Sequence, residues 1–141
     1  MRLLMQLLAM IVLLSLPAHA EELTAQDKSA FQGVISDQIA AFQADDGAKA
    51  YGFASPTIQG IFPTPSLFMD MVKRGYQPVY RPQSLTFGEA GLNAAGRPFQ
   101  KVTIVGPDGF TYEALYSMER QPDGSWKING CALVRAPDMG A

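Results

Sequence analysis

The hydrophobic period of this chain changes once, near Tyr76, and that change restricts the folds open to it. Before it, apolar residues recur at steps of three and four; after it, they alternate. From residue 24 to about 44, Phe31, Val34, Ile35, Ile39 and Phe42 fall on one helical stripe, and Thr24 with Asp27 forms a capping signal at its start. Asp45-Asp46-Gly47 interrupts the stripe, and residues 48–53 suffice for a short second helix before Ser55-Pro56. Thr64-Pro65 predicts the start of a third helix, with proline at its first position, and Gly75 predicts its stop. Leu67, Phe68, Met71 and Val72 share one side of that helix, while Asp70 is spaced to reach Lys73 and Arg74 on a solvated face.

Beyond Tyr76 the alternation predicts strands over residues 79–87, 99–105, 110–120 and 125–135. Pro107-Asp108-Gly109 and Pro122-Asp123-Gly124 are turn sequences that join the last three as antiparallel hairpins. Residues 88–98, rich in Gly, Ala and Asn, read as a mobile loop, and Gly130 marks a bulge or bend in the final strand. Helices first and a meander second is the pattern of an α+β domain, with N-terminal helices packed on a curved antiparallel sheet of about four strands. A sheet curved around a long helix makes a cone whose open end is a pocket.

Ahead of the helices, Arg2, an apolar run from Leu7 to Leu14, Pro17 and the small-residue boundary Ala18-His19-Ala20 have the order of a secretory signal. Residues 1–20 are then expected to be removed. That leaves 21–141 as one α+β domain with a short flexible tail from about 136, located in the periplasm or secreted. The run is too short for a membrane-spanning helix, so the mature chain is expected to have no span. His19 is the only histidine, and its removal takes imidazole out of the mature protein. With Arg2 also gone, ten Lys and Arg (eleven minus one) face thirteen Asp and Glu, for a net charge of minus three. The basic residues are scattered, which argues against nucleic acid as a partner. Cys131 is the single cysteine, so no internal disulfide forms, and it reads as a small apolar filler in a strand.

Without histidine, Ser-His-Asp and Cys-His chemistry loses its base and the usual zinc sites cannot form. Neither an S-x-x-K spacing nor a Gly-rich phosphate loop is present, and no cofactor or metal is expected. Carboxylate with tyrosine is what remains for proton chemistry. In the third strand Phe110, Tyr112, Ala114, Tyr116 and Met118 face one way and Glu113 the other, so a tyrosine and Glu113 share no pocket without a bulge. Asp45-Asp46, at a helix end, reads as a carboxylate cap. The aromatic face is the better candidate: Tyr112, Tyr116 and Trp126 stand among Ala114 and Gly130, and small residues amid large ones leave room for an apolar ligand with a polar handle. The competing reading is a packed core that receives the first and third helices. Residues 76–82, held extended by Pro78 and Pro82, project Tyr80 and Arg81. Arg81 is the candidate for an anionic group, or for pairing with a carboxylate inside a rigid reversal.

The fragments Phe53-Ala54-Ser55-Pro56, Thr64-Pro65, Gly75-Tyr76, Val79-Tyr80-Arg81-Pro82, Trp126-Lys127-Ile128-Asn129-Gly130 and Arg135-Ala136-Pro137 resemble the motifs of a bacterial exported family, domain of unknown function 4864. The resemblance runs from about Phe31 to the C-terminus. Its order of elements is similar to the nuclear transport factor 2-like, or cystatin-like, cone shared with ketosteroid isomerase and polyketide cyclases. It implies a cone and no particular activity. Three functions follow as expectations. The first is non-catalytic binding of a small apolar or weakly acidic ligand through Tyr80, Arg81, Tyr112, Tyr116 and Trp126. The second is a homodimer or envelope-protein interaction module that presents a large apolar patch on an exposed sheet face. The third is a histidine-free lyase or isomerase using Tyr with Asp or Glu. An open apolar pocket without carboxylate favours the first, a filled cone the second, and a buried carboxylate beside a tyrosine the third.

Overall fold

Thr24 opens the helical half by reciprocal capping: its hydroxyl accepts from the Asp27 amide at 3.0 Å, and the Asp27 carboxylate accepts from the Thr24 amide at 2.9 Å. The structure, a computed structural model, describes residues 22–137. The predicted signal segment with its boundary at Ala18 and Ala20, and residues 138–141 of the predicted tail, lie outside the described residues. Five helices come first: α1 (Ala25–Gln43), α2 (Gly47–Gly52), α3 (Pro56–Ile61), α4 (Pro65–Gly75) and α5 (Gln77–Tyr80). Four strands follow: β1 (Ser84–Leu92), β2 (Pro98–Val105), β3 (Thr111–Arg120) and β4 (Trp126–Arg135).

The predicted stripe of α1 is buried at Phe31, Ile35, Ile39 and Phe42. Asp45 then adopts a left-handed backbone, φ 52°, and Asp46 caps α2 by accepting from the Lys49 amide at 3.1 Å. α3 is an element the periodicity did not predict. Ser55 caps it, Pro56 occupies its first turn, and none of its residues is buried. In α4 the buried residues are Phe68, Met69 and Val72, whereas Leu67 is 48% exposed, so the expected placement of Leu67 is corrected. Asp70 forms no ion pair among the described residues; Arg74 Nε donates instead to its backbone carbonyl at 3.4 Å. The segment expected to be extended is partly helical. Pro78 sits in the first turn of α5, where a missing amide hydrogen is tolerated, and Pro78 and Val79 are buried.

All strand pairs are antiparallel and consecutive in sequence, in the order β1-β2-β3-β4. The first strand begins five residues later than predicted and runs through most of the supposed loop, since Ala90, Gly91 and Leu92 pair with Gln100, Phe99 and Pro98. A register shift between Phe87 and Ala90 makes that possible. Gln100, fully buried, donates its Nε2 to the carbonyls of Lys101, Gly88 and Glu89 at 2.8, 3.1 and 3.4 Å and so holds the bulge. The loop that remains is short: Asn93 Oδ1 accepts from the amides of Ala95 and Arg97. At the two Pro-Asp-Gly turns, Gly109 and Gly124 take φ of 81° and 86°, the conformation those turns need. The expected irregularity in β4 is present, with Ser117 opposite Gly130 but Met118 opposite Ile128, leaving Asn129 as the extra residue.

One face of the sheet, with Val102, Ile104, Ala114, Tyr116, Met118, Trp126 and Ile128, receives the helices and forms the core. The fold class is α+β, as the change of period predicts. A short strap covers the first half of the β4 edge: Ala54 bridges Ile128 in parallel, Ser55 N donates to Ile128 O at 2.8 Å, and Ile128 N donates to Phe53 O at 2.9 Å. Ser55 Oγ also donates to Asn129 Oδ1 at 2.7 Å, which ties the cap of α3 to the bulge.

Candidate functional site

The side chains expected to bind do not converge. Tyr80 and Arg81 adjoin Asp45: the Tyr80 hydroxyl donates to the Asp45 carboxylate, and Arg81 lies 3.0 Å from it. Arg81 also donates to the Phe42 carbonyl at 2.5 Å and stacks on the Tyr80 ring at 4.0 Å. Its guanidinium thereby satisfies the end of α1 and pairs with a carboxylate in a rigid reversal. Tyr112 donates to Asp108 Oδ2 at 2.5 Å within the β2–β3 turn. Trp126, paired with Arg120 at the far end of β3, meets Phe31 edge-on at 4.7 Å between ring centroids, and the Arg120 guanidinium covers it at 4.8 Å.

The Asp45 latch gives the fold a dependence on acid. The Tyr80 hydrogen bond, then Arg81, hold the Asp45 carboxyl below its ordinary 3.8. A folded-state pKa below the unfolded one means that the stability it contributes is present above the unfolded value and is lost as pH falls through the folded value. Asp45→Asn, which tolerates the same left-handed backbone, is expected to lower the urea midpoint near neutrality, and its difference from wild type should vanish as pH falls below the ordinary carboxylate range. A difference that stays constant across that range would remove the charge from the account.

Of the predicted set, Tyr116 is the one that lines an apolar cavity. The hollow measures about 330 Å³ and lies where α1, α3 and α4 meet the inner face of β3 and β4. Phe42, Val72, Tyr116 and Ile128 are among its buried walls, and Ile58, Phe62 and Met71 among its half-buried ones. The polar wall residues are Gln38, Tyr76, Tyr116 and Cys131, and no Asp, Glu, Lys or Arg lines it. Gln38 donates to the Ala50 carbonyl at 3.1 Å, and Tyr76 donates to the Cys131 carbonyl at 3.0 Å. The Tyr116 hydroxyl is buried and has no hydrogen-bond partner. Burial, with the neighbouring Cys131, pushes its pKa well above 10.0. Burial likewise pushes the Cys131 thiol up to about 12, so the thiol stays protonated and is a poor nucleophile.

Sequence reasoning placed Tyr116 correctly on the inner face but read Phe42, Phe68 and Val72 only as packing residues and did not assign them, Gln38 or Tyr76 to a cavity. One signal for them exists: Gln38 breaks the apolar stripe of α1 between Ile35 and Phe42 and is nonetheless buried. A second hollow, beside Trp126 and Arg120, has charged walls at Asp27, Arg97 and Glu119. Among the described residues no cluster of His, Cys, Asp or Glu is able to hold a metal ion, and no helix is long and apolar enough to cross a membrane.

No curated protein and no solved structure matches the chain. One family model does, over residues 24–141, nearly the whole helical and stranded body just described. The chain belongs to the family Domain of unknown function (DUF4864).

Proposed function

We propose that the protein is a non-catalytic binding module that takes a small, predominantly apolar molecule into the cavity between α3, α4 and β4. The observation that carries this reading is the cavity itself: about 330 Å³, predominantly apolar walls that include the half-buried Ile58, Phe62 and Met71, and no charged lining. That volume lies at the lower end of the usual range for ligand sites. The resemblance to the nuclear transport factor 2-like cone supports it, because a pocket at the open end of such a cone is what the order of elements leads one to expect. The signal segment read in residues 1–20 makes the periplasm or the exterior the proposed place of action.

The other two readings find less support. A tyrosine–carboxylate lyase or isomerase needs a base in the pocket, and neither Asp nor Glu lines it. An interaction module needs a continuous apolar patch, whereas on the outer face of the sheet the exposed Leu115 and Val134 are set among Lys101, Thr103, Glu113 and Ser117. The test is methyl NMR of the full chain titrated with toluene. Signals of Val72, Val79 and Ile128 are expected to shift and saturate while that of Val134 does not move, and Val72→Phe, which fills the cavity, should abolish the shifts. Unchanged signals at those three residues under saturating toluene would overturn the proposal.

A further inference from the structure

A buried phenol without a partner is costly for a fold, since nearly all buried polar groups are hydrogen-bonded. Tyr116 is such a group, and it stands on the wall of the cavity. Its register partners are Gln100 on one side and Cys131 on the other. The Gln100 amide nitrogen is engaged by the β1 bulge, and its Oε1 is likewise buried without a partner. The Cys131 thiol is the nearest polar group to act on the phenol and is at most a weak acceptor for it, and no hydrogen bond of standard geometry engages the hydroxyl. Cys131, half-buried, lines the cavity as well.

We propose that Tyr116 is the specificity determinant of the cavity, donating its proton to a neutral acceptor oxygen, such as a ketone or aldehyde carbonyl, on the bound molecule. This rests on the binding reading above. The charge follows from the walls: a carboxylate would enter with no cation to meet it, whereas a carbonyl needs one donor. The donor character follows from chemistry, because a phenol in apolar surroundings keeps its proton and offers it. Its hydroxyl is shielded from the cavity surface, so donation to a bound molecule requires a side chain of the cavity wall to move aside. At the roughly 30 Å³ that one water takes in the liquid, the hollow holds a molecule of about ten non-hydrogen atoms.

Three probes of nearly one shape separate the possibilities: acetophenone, with a carbonyl; α-methylstyrene, with a methylene in its place; and benzoate, with a charge. Titrated into the full chain by calorimetry, acetophenone is expected to bind about tenfold more tightly than α-methylstyrene, and benzoate more weakly than either. Tyr116→Phe should reduce acetophenone to the level of α-methylstyrene, leave α-methylstyrene within about twofold, and raise the Tm of the ligand-free protein, because an unsatisfied hydroxyl has been removed. Cys131→Ala should retain the ketone preference. If α-methylstyrene binds and acetophenone binds no better, or if benzoate equals acetophenone, the assignment of Tyr116 falls while the cavity remains a binding site. A preference that survives Tyr116→Phe or disappears in Cys131→Ala also overturns it. If none of the three binds, the binding reading itself fails.

Discussion

Phe31→Ala is expected to lower the unfolding free energy by about 3 to 5 kcal/mol, the range for deleting a fully buried aromatic side chain. Phe31 has no exposed surface, and its ring meets Trp126 edge-on at 4.7 Å. Alanine would leave a cavity between α1 and β4 and take away a ring that covers the indole, as the Arg120 guanidinium also does. Trp126 is the only tryptophan, so its emission reports directly on that seam. Urea unfolding followed by fluorescence should show the midpoint shifted down with an unchanged slope, and a native spectrum displaced to longer wavelength. A loss below about 1 kcal/mol would mean that the first turns of α1 are not docked as described.

The second large effect is expected at Ser55. Ser55→Ala removes the cap of α3, which accepts from the Ile58 amide at 3.3 Å, and the bond to Asn129 at 2.7 Å. Loss of a cap typically costs about 1 kcal/mol, and an acceptor left unsatisfied costs a further 1 to 3, so a decrease of about 2 to 4 kcal/mol is anticipated. Asn129→Ala should be milder, and the double variant should be no worse than Ser55→Ala alone by more than a few tenths of a kcal/mol, since both act on one contact. Additive losses would show that the cap and the bulge are independent.

What the sequence made legible were features with local physical causes. The Thr24 and Thr64 caps, the stripe of α1 and the two Pro-Asp-Gly turns each depend on residues a few positions apart, and each lies where the pattern puts it. What it concealed depended on distant partners. α3 is too short for a hydrophobic period to repeat, and it is secured through Ser55 to a strand 74 residues on. β1 contains Gly88 and Gly91, a poor strand by propensity, and pairing with β2 together with the Gln100 amide overrides that preference. Pro78 argued for an extended segment, yet the first turn of a helix accepts proline equally well. The cavity was half legible: alternation put Tyr116 on the inner face, but no local pattern says that Phe42, Val72 and Ile128 leave space around it.

The meander and the strap differ in how far each must reach along the chain. Each hairpin closes a loop of a few residues, an event of microseconds, whereas the parallel bridge between Ala54 and Ile128 joins segments far apart in sequence and loses correspondingly more chain entropy on closure. The sheet is thus free to zip from its turns while the helical half is still searching. Reaching the native state is then limited by the long-range meetings of helices and sheet, of which the strap is one, rather than by strand pairing.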